Sequence, residues 1–168
     1  SLRIIDSQVV TSADQSDAGT LLLGWPATRL SIELTRSDLL ASGLHGGRIE
    51  VLGGSLWFSE STLAAAAHSG RQNQGDGTIL LAGTGPVRPS PAQSIVLDRT
   101  RLDASTITGP GGSVSIVANA YVPSADSTID VSSTLGTPGT ESTPSLLFAP
   151  PSDPPAIQSV VSLPPTWQ

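Results

Sequence analysis

The sequence predicts an all-β fold: a right-handed parallel β-helix, or solenoid, of about four to five coils with a Pro-rich C-terminal extension. Three observations carry this. Five stretches read as variants of one phrase: LRIIDSQVVTSA, SIELTRSDLLAS, SLWFSESTLAAA, SIVLDRTRLDAS and, with one inserted residue, AYVPSADSTIDVSS. Four second phrases, GTLLL, GRIEV, GTILL and GSVSI, each set a short apolar run behind a glycine. The whole recurs about every 30 residues, the period at which strand-sized units stack into a solenoid.

Each coil then offers three strands. In the first, alternate residues face inward: Leu2 and Ile4, Ile32 and Leu34, Leu56 and Phe58, Ile95 and Leu97, and Tyr121. Arg3, Glu33, Trp57, Val96 and Val122 take the outward positions between or beside them, as the two-residue period of a strand requires. The second strand places a large residue inward and a smaller one two positions on: Val9 and Thr11, Leu39 and Ala41, Leu63 and Ala65, Leu102 and Ala104, Ile129 and Val131. The third contributes Leu21 and Leu23, Ile49 and Val51, Ile79 and Leu81, Val114 and Ile116.

Between the second and third strands lie AGT at Ala18–Thr20, HGG at His45–Gly47, GDG at Gly75–Gly77 and GPGG at Gly109–Gly112. Glycine there supplies the positive φ of a sharp corner. Corner spacing gives coils of roughly 27 to 35 residues, and parallel stacking at about 4.8 Å per coil gives a rod on the order of 20–25 Å long. Length variation concentrates between the third strand and the next first strand, above all at Ala82–Gln93, whose three prolines must leave the prism because proline cannot donate to a ladder.

The β-helix is expected over residues 1–149 and an extended Pro-rich tail over 150–168. Leu146–Phe148 is expected to form a last strand of the third type. The apolar residues Ile157, Val160, Val161, Leu163 and Trp167 favour a tail that caps the terminal coil. Ser1 falls inside a repeat, so the chain is expected to be part of a longer protein or a processed product. The N-terminal end, with Leu2 and Ile4 already in the inward stack, is expected to continue into an upstream segment of the same protein or to dock on another copy. Head-to-tail contact of that kind would build a filament.

Composition narrows the function. The 168 residues are 38% hydrophobic, 13% charged and 4% aromatic, with no Cys or Met. All eight basic residues are Arg. Absent Lys removes the Schiff-base and phosphate-gripping lysines, and a net charge of −6 disfavours nucleic acid and anionic lipid as partners. No apolar run reaches the length of a membrane span.

The candidate chemistry is thin. Asp98 and Asp103 share a coil, and Asp130 sits one coil on at the position equivalent to Asp103, where stacked carboxylates could hold Ca²⁺ or act as an acid/base pair. The equivalent positions in earlier coils are Val10, Leu40 and Ala64, so the acidic ladder has two rungs, flanked by Arg99 and Arg101. A solvated, partly salt-bridged face is the expectation. His45 and His68 lie near corners of consecutive coils without an accompanying acid or Cys, a weak metal signal, and GDG at Gly75–Gly77 lacks the tandem repetition of Ca²⁺-binding turns. No catalytic residue, cofactor or metal ligand is assigned. Trp57, central and outward, is expected to be covered by a loop or tail unless it serves sugar stacking or a protein contact. Trp25, in GWPAT, is expected to anchor its turn. Leu2, Ile4, Trp57 and Trp167 form the candidate interaction surface.

The segment GGSVSIVANAYVPSADSTIDVSSTLGTPGT (Gly111–Thr140), with the Pro-rich close ending VSLPP, resembles the C-terminal region of filamentous-haemagglutinin-like exoproteins. These are the large haemagglutination-type adhesins of two-partner secretion. The resemblance covers most of Thr20–Pro165 and rests on structural motifs: a glycine pair before a strand, a phrase similar to the family's SxIxASS (STIDVSS here) and a GxxGT turn. The chain departs from the family in lacking Lys, in its short length and in showing no N-terminal secretion domain. The resemblance implies a right-handed β-helix, export to a bacterial cell surface or beyond it, and a non-enzymatic part in adhesion or extracellular structure. The partners it implies are the upstream part of the same exoprotein, other copies of itself, and glycans or the surface of a host or neighbouring cell. A carbohydrate-active β-helix, lyase or hydrolase-like, is the alternative.

Overall fold

The computed structural model describes residues 1–13, 19–24, 30–67, 77–85 and 89–144. They form fifteen strands and no helix. The first coil consists of β1 (Leu2–Ile5), β2 (Gln8–Ala13) and β3 (Thr20–Leu23), and the second of β4 (Ser31–Thr35), β5 (Asp38–Gly43) and β6 (Arg48–Leu52). The third holds β7 (Ser55–Ser59), β8 (Thr62–Ala64) and β9 (Thr78–Ala82), and the fourth β10 (Ser94–Asp98), β11 (Arg101–Asp103) and β12 (Ser113–Ile116). The fifth is β13 (Tyr121–Pro123), β14 (Thr128–Asp130) and β15 (Thr140–Ser142).

Three five-stranded parallel sheets result, ordered β1-β4-β7-β10-β13, β2-β5-β8-β11-β14 and β3-β6-β9-β12-β15. This is a parallel β-helix of five coils. The register is the one the repeats predict: Leu2 faces Ile32, Ile32 faces Leu56, Leu56 faces Ile95 and Ile95 faces Tyr121. Column positions lie 24 to 39 residues apart along the chain, a wider range than corner spacing suggests. The surplus in the longest coil includes the Ala82–Gln93 excursion, where Gly83 and Ser90 form an antiparallel bridge.

The inward columns make the core. Leu34 and Phe58, Leu39, Leu63 and Leu102, and Ile49 and Ile79 are fully enclosed, each roofed and floored by its neighbour in the next coil. Burial weakens in the outer coils, where Leu2, Ile4, Val9, Ile129 and Val131 pack on the core but remain partly exposed. The fifth coil takes its third strand at Thr140–Ser142, ahead of the Leu146–Phe148 segment expected for it, which lies outside the described residues, as do the tail and Trp167.

Three of the four glycine corners behave as the sequence predicts, with φ of 71°, 83° and 84° at Gly46, Gly77 and Gly109, whereas Gly19 in the first coil does not take a positive φ. The corner between first and second strands is made differently. Asp6, Arg36, Glu60 and Arg99 occupy it with φ between 47° and 50°, a left-handed conformation uncommon outside glycine and Asn/Asp. The next residue in each coil is Ser or Thr. The Ser37 hydroxyl donates to the Thr35 carbonyl at 2.9 Å and accepts the Ser7 amide at 3.2 Å. The Ser61 hydroxyl donates to the Ser59 carbonyl and accepts the Ser37 amide, and Ser127 accepts the Thr100 amide. A buried hydroxyl row thus satisfies the turned backbone from coil to coil.

Candidate functional site

Every outward position on the solenoid belongs to a row. The central row of the first sheet reads Arg3, Glu33, Trp57, Val96, Val122, in direct Cα register. Trp57 stands at the middle of β7, where alternation drives Leu56 and Phe58 inward and the indole outward. It is 52% exposed; the tail expected to cover it lies outside the described residues. Above it, Glu33 is held by Arg3 in a two-point contact, Nε–Oε2 2.8 Å and Nη2–Oε1 3.1 Å. Below it lies Val96.

Beside this row runs a second, of hydroxyls: Ser31, Ser55 and Ser94 pair in register at the leading edge of β4, β7 and β10. The two rows border a shallow depression of about 420 Å³, which Leu2 also lines at the first coil. Ile4, by contrast, packs against the core. Of the four residues proposed as an interaction surface, Trp57 and Leu2 share this depression, Ile4 does not, and Trp167 lies outside the described residues.

The carboxylates are occupied. Asp103 and Asp130 do face each other across adjacent coils. Asp103 accepts the Ser105 hydroxyl at 2.6 Å and the Ser105 amide at 3.0 Å on one oxygen, and Arg101 at 2.8 Å on the other. Asp130 accepts the Ser132 amide at 3.0 Å and lies 3.5 Å from the same guanidinium. Partial burial works against the charge of Asp103, but the Ser105 bonds and Arg101 outweigh it and hold the carboxyl below its ordinary range. A general acid needs the opposite shift. Asp98 accepts the Ser59 hydroxyl at 3.0 Å.

The left-handed corners carry an ion row that repeat inspection overlooks. Asp6 and Arg36 meet at 2.6 Å, and Glu60 and Arg99 at 2.6 Å, so charge alternates down one ridge. Arg36 draws the Asp6 carboxyl below its usual range. The signal was available: Asp6-Ser7, Arg36-Ser37, Glu60-Ser61 and Arg99-Thr100 repeat the pattern charged-then-hydroxyl after each first strand. Arg48 pairs with Glu50, so all five described arginines are bound to acids.

No group of three or more His, Cys, Asp or Glu suited to a metal occurs among the described residues. His45 is half-buried, while His68, Trp25 and most of the GDG turn lie outside the described residues. Among the described residues no helix is long and apolar enough to cross a membrane. Comparison with family models, curated proteins and solved structures found no match.

Proposed function

We propose that the chain is a non-enzymatic display module of a bacterial cell surface or extracellular structure, a β-solenoid whose outward rows make adhesive contact. The observation that carries this is the first sheet's outer face: an exposed Trp57 framed by an ion pair and a hydroxyl row. The carboxylates that would serve a lyase or hydrolase are instead tied to Arg101, Ser105 and Ser132. The resemblance of Gly111–Thr140 to haemagglutinin-like exoproteins points the same way, toward secretion and adhesion, and parallel ladders would let copies join end to end into filaments. The paired arginines and the net charge of −6 argue against nucleic acid as a partner.

The test is retention of cells on surfaces coated with the chain, alongside incubation with a polysaccharide panel. Retention above a blank surface, reduced by Trp57→Ala, with no new reducing or unsaturated ends, is the expected result. Polysaccharide cleavage that Asp103→Asn removes would establish the carbohydrate-active alternative.

A further inference from the structure

We infer that the Trp57 depression is a binding site for an uncharged oligosaccharide, lying along the solenoid axis and crossing successive coils. This deepens the adhesive reading above and rests on it. The first argument is chemical. A sugar ring offers an apolar C–H face and a rim of hydroxyls, and Trp57 offers a half-exposed aromatic face, a surface suited to apolar contact with a polar rim. The hydroxyls of Ser31, Ser55 and Ser94 make no hydrogen bond among the described residues and border the same depression. Each can donate and accept, which matches a ligand whose groups do both. The Glu33 carboxylate, in two-point contact with Arg3, adds a charged acceptor at the edge of the depression, and hydrogen bonds to a charged acceptor are the stronger kind.

The second argument is spacing. Strands of a parallel sheet lie about 4.8 Å apart, close to the length of one pyranose ring in an extended chain. A linear oligosaccharide on this face would therefore meet one hydroxyl per coil in step, with one ring on the indole.

Charge selects among glycans. The five described arginines are all engaged by carboxylates, and the chain carries −6 overall. A sulfated or uronic glycan would meet repulsion with no unpaired guanidinium among the described residues to offset it. A neutral chain meets no such opposition.

The experiment titrates the full chain with neutral β-1,4-linked glucose and N-acetylglucosamine oligomers of increasing length, with a sulfated glycan as comparison, by calorimetry and Trp fluorescence. The expected result is affinity that rises with length and levels off near the roughly four rings that the bordering coils can seat at this spacing. Trp57→Ala should weaken it about tenfold or more and Trp57→Phe far less; Ser55→Ala and Ser94→Ala should each cost several-fold. Far-UV spectra and melting curves confirm that each variant is folded, which outward positions should permit. Absence of binding by both oligomer series at millimolar concentration, binding indifferent to Trp57→Ala, or preference for the sulfated glycan would overturn the inference. If cells are retained in a Trp57-dependent way and the oligomers neither bind nor compete, the sugar assignment falls and the adhesive reading stands.

Discussion

Leu63 is the position at which the stacked-core argument is most exposed to test. It is fully buried, with Leu39 directly above and Leu102 directly below in the same column. Replacing a buried Leu by Ala costs about 2–5 kcal/mol, the upper part of that range applying where the surroundings cannot close on the cavity. Here they cannot readily do so. The Leu39 and Leu102 backbones are pinned in ladders with β8, and the inter-coil spacing is set by those hydrogen bonds rather than by side-chain size. Leu63→Ala should therefore cost about 3–5 kcal/mol. At about 2–4 °C per kcal/mol for a chain of this length, the melting temperature should fall by roughly 6–20 °C. Two controls make the number meaningful. Val10→Ala removes methyls from the outward face of the same sheet, where the residue is 50% exposed, and should stay within about 0.5 kcal/mol. Ile129→Ala, in the same column but partly exposed in the fifth coil, should fall between. Urea unfolding followed by far-UV circular dichroism gives all three free energies, with the slope checked for each variant because repeat arrays can lose cooperativity. A Leu63→Ala cost no larger than that of Val10→Ala would refute the column as the source of stability.

Gly77→Ala should prevent folding or cost several kcal/mol, since its φ is +83° and a Cβ would lie 2.0 Å from the Ala65 carbonyl oxygen; Gly19→Ala, which meets only the movable Thr11 side chain, should cost far less, and thermal melts of the pair decide it. Ser61→Ala should cost about 1–3 kcal/mol by leaving the buried Ser37 amide without its acceptor, and Ser61→Thr should recover much of it because Thr100 fills the equivalent position one coil on; chemical denaturation of both variants is the check. Asp103 has a folded-state pKa below its unfolded value, so its stabilising effect is full above the ordinary carboxylate pKa of about 4 and fades as pH falls below it. Asp103→Asn should accordingly flatten the acid limb of the melting-temperature profile, and a limb unchanged by the substitution would count against Arg101 and Ser105 as the cause.

The inward register was legible because it is redundant. The apolar column of Phe58 is written four times, at Ile4, Leu34, Phe58 and Leu97, and an error at Phe58 would contradict Leu34 and Leu97, its neighbours above and below. The glycine corners were legible for a similar reason. The left-handed corners are not legible, because Arg36, Glu60 and Arg99 are not residues that announce positive φ and Asp6 alone sets no pattern. Only their hydroxyl successors explain why the turn is tolerated, by giving the turned backbone an acceptor within the neighbouring coil. The pairing of Asp103 with Asp130 followed from the repeat, whereas the neutralising reach of Arg101 to both needed side-chain geometry. The outward direction of Trp57 follows from the strand alternation. Its exposure depends on where the connecting segments run, and no local pattern encodes that.

The rows divide the work of the chain. Inward columns must be apolar, glycine corners must admit positive φ, and hydroxyl corners must satisfy a turned backbone, so each row repeats one residue type. The central outward row of the first sheet obeys no such rule: Arg3, Glu33, Trp57, Val96 and Val122 have nothing in common but their place. Strand pairing there runs through the backbone and is indifferent to what the side chain is, so the fold leaves this row free. An indole 52% exposed gains little from burial, and packing on Glu33 and Val96 could be had from a smaller residue. The fold does not require an indole at this position, which is why the proposed function places contact with something outside the molecule here, with the hydroxyls of Ser31, Ser55 and Ser94 lining the same depression.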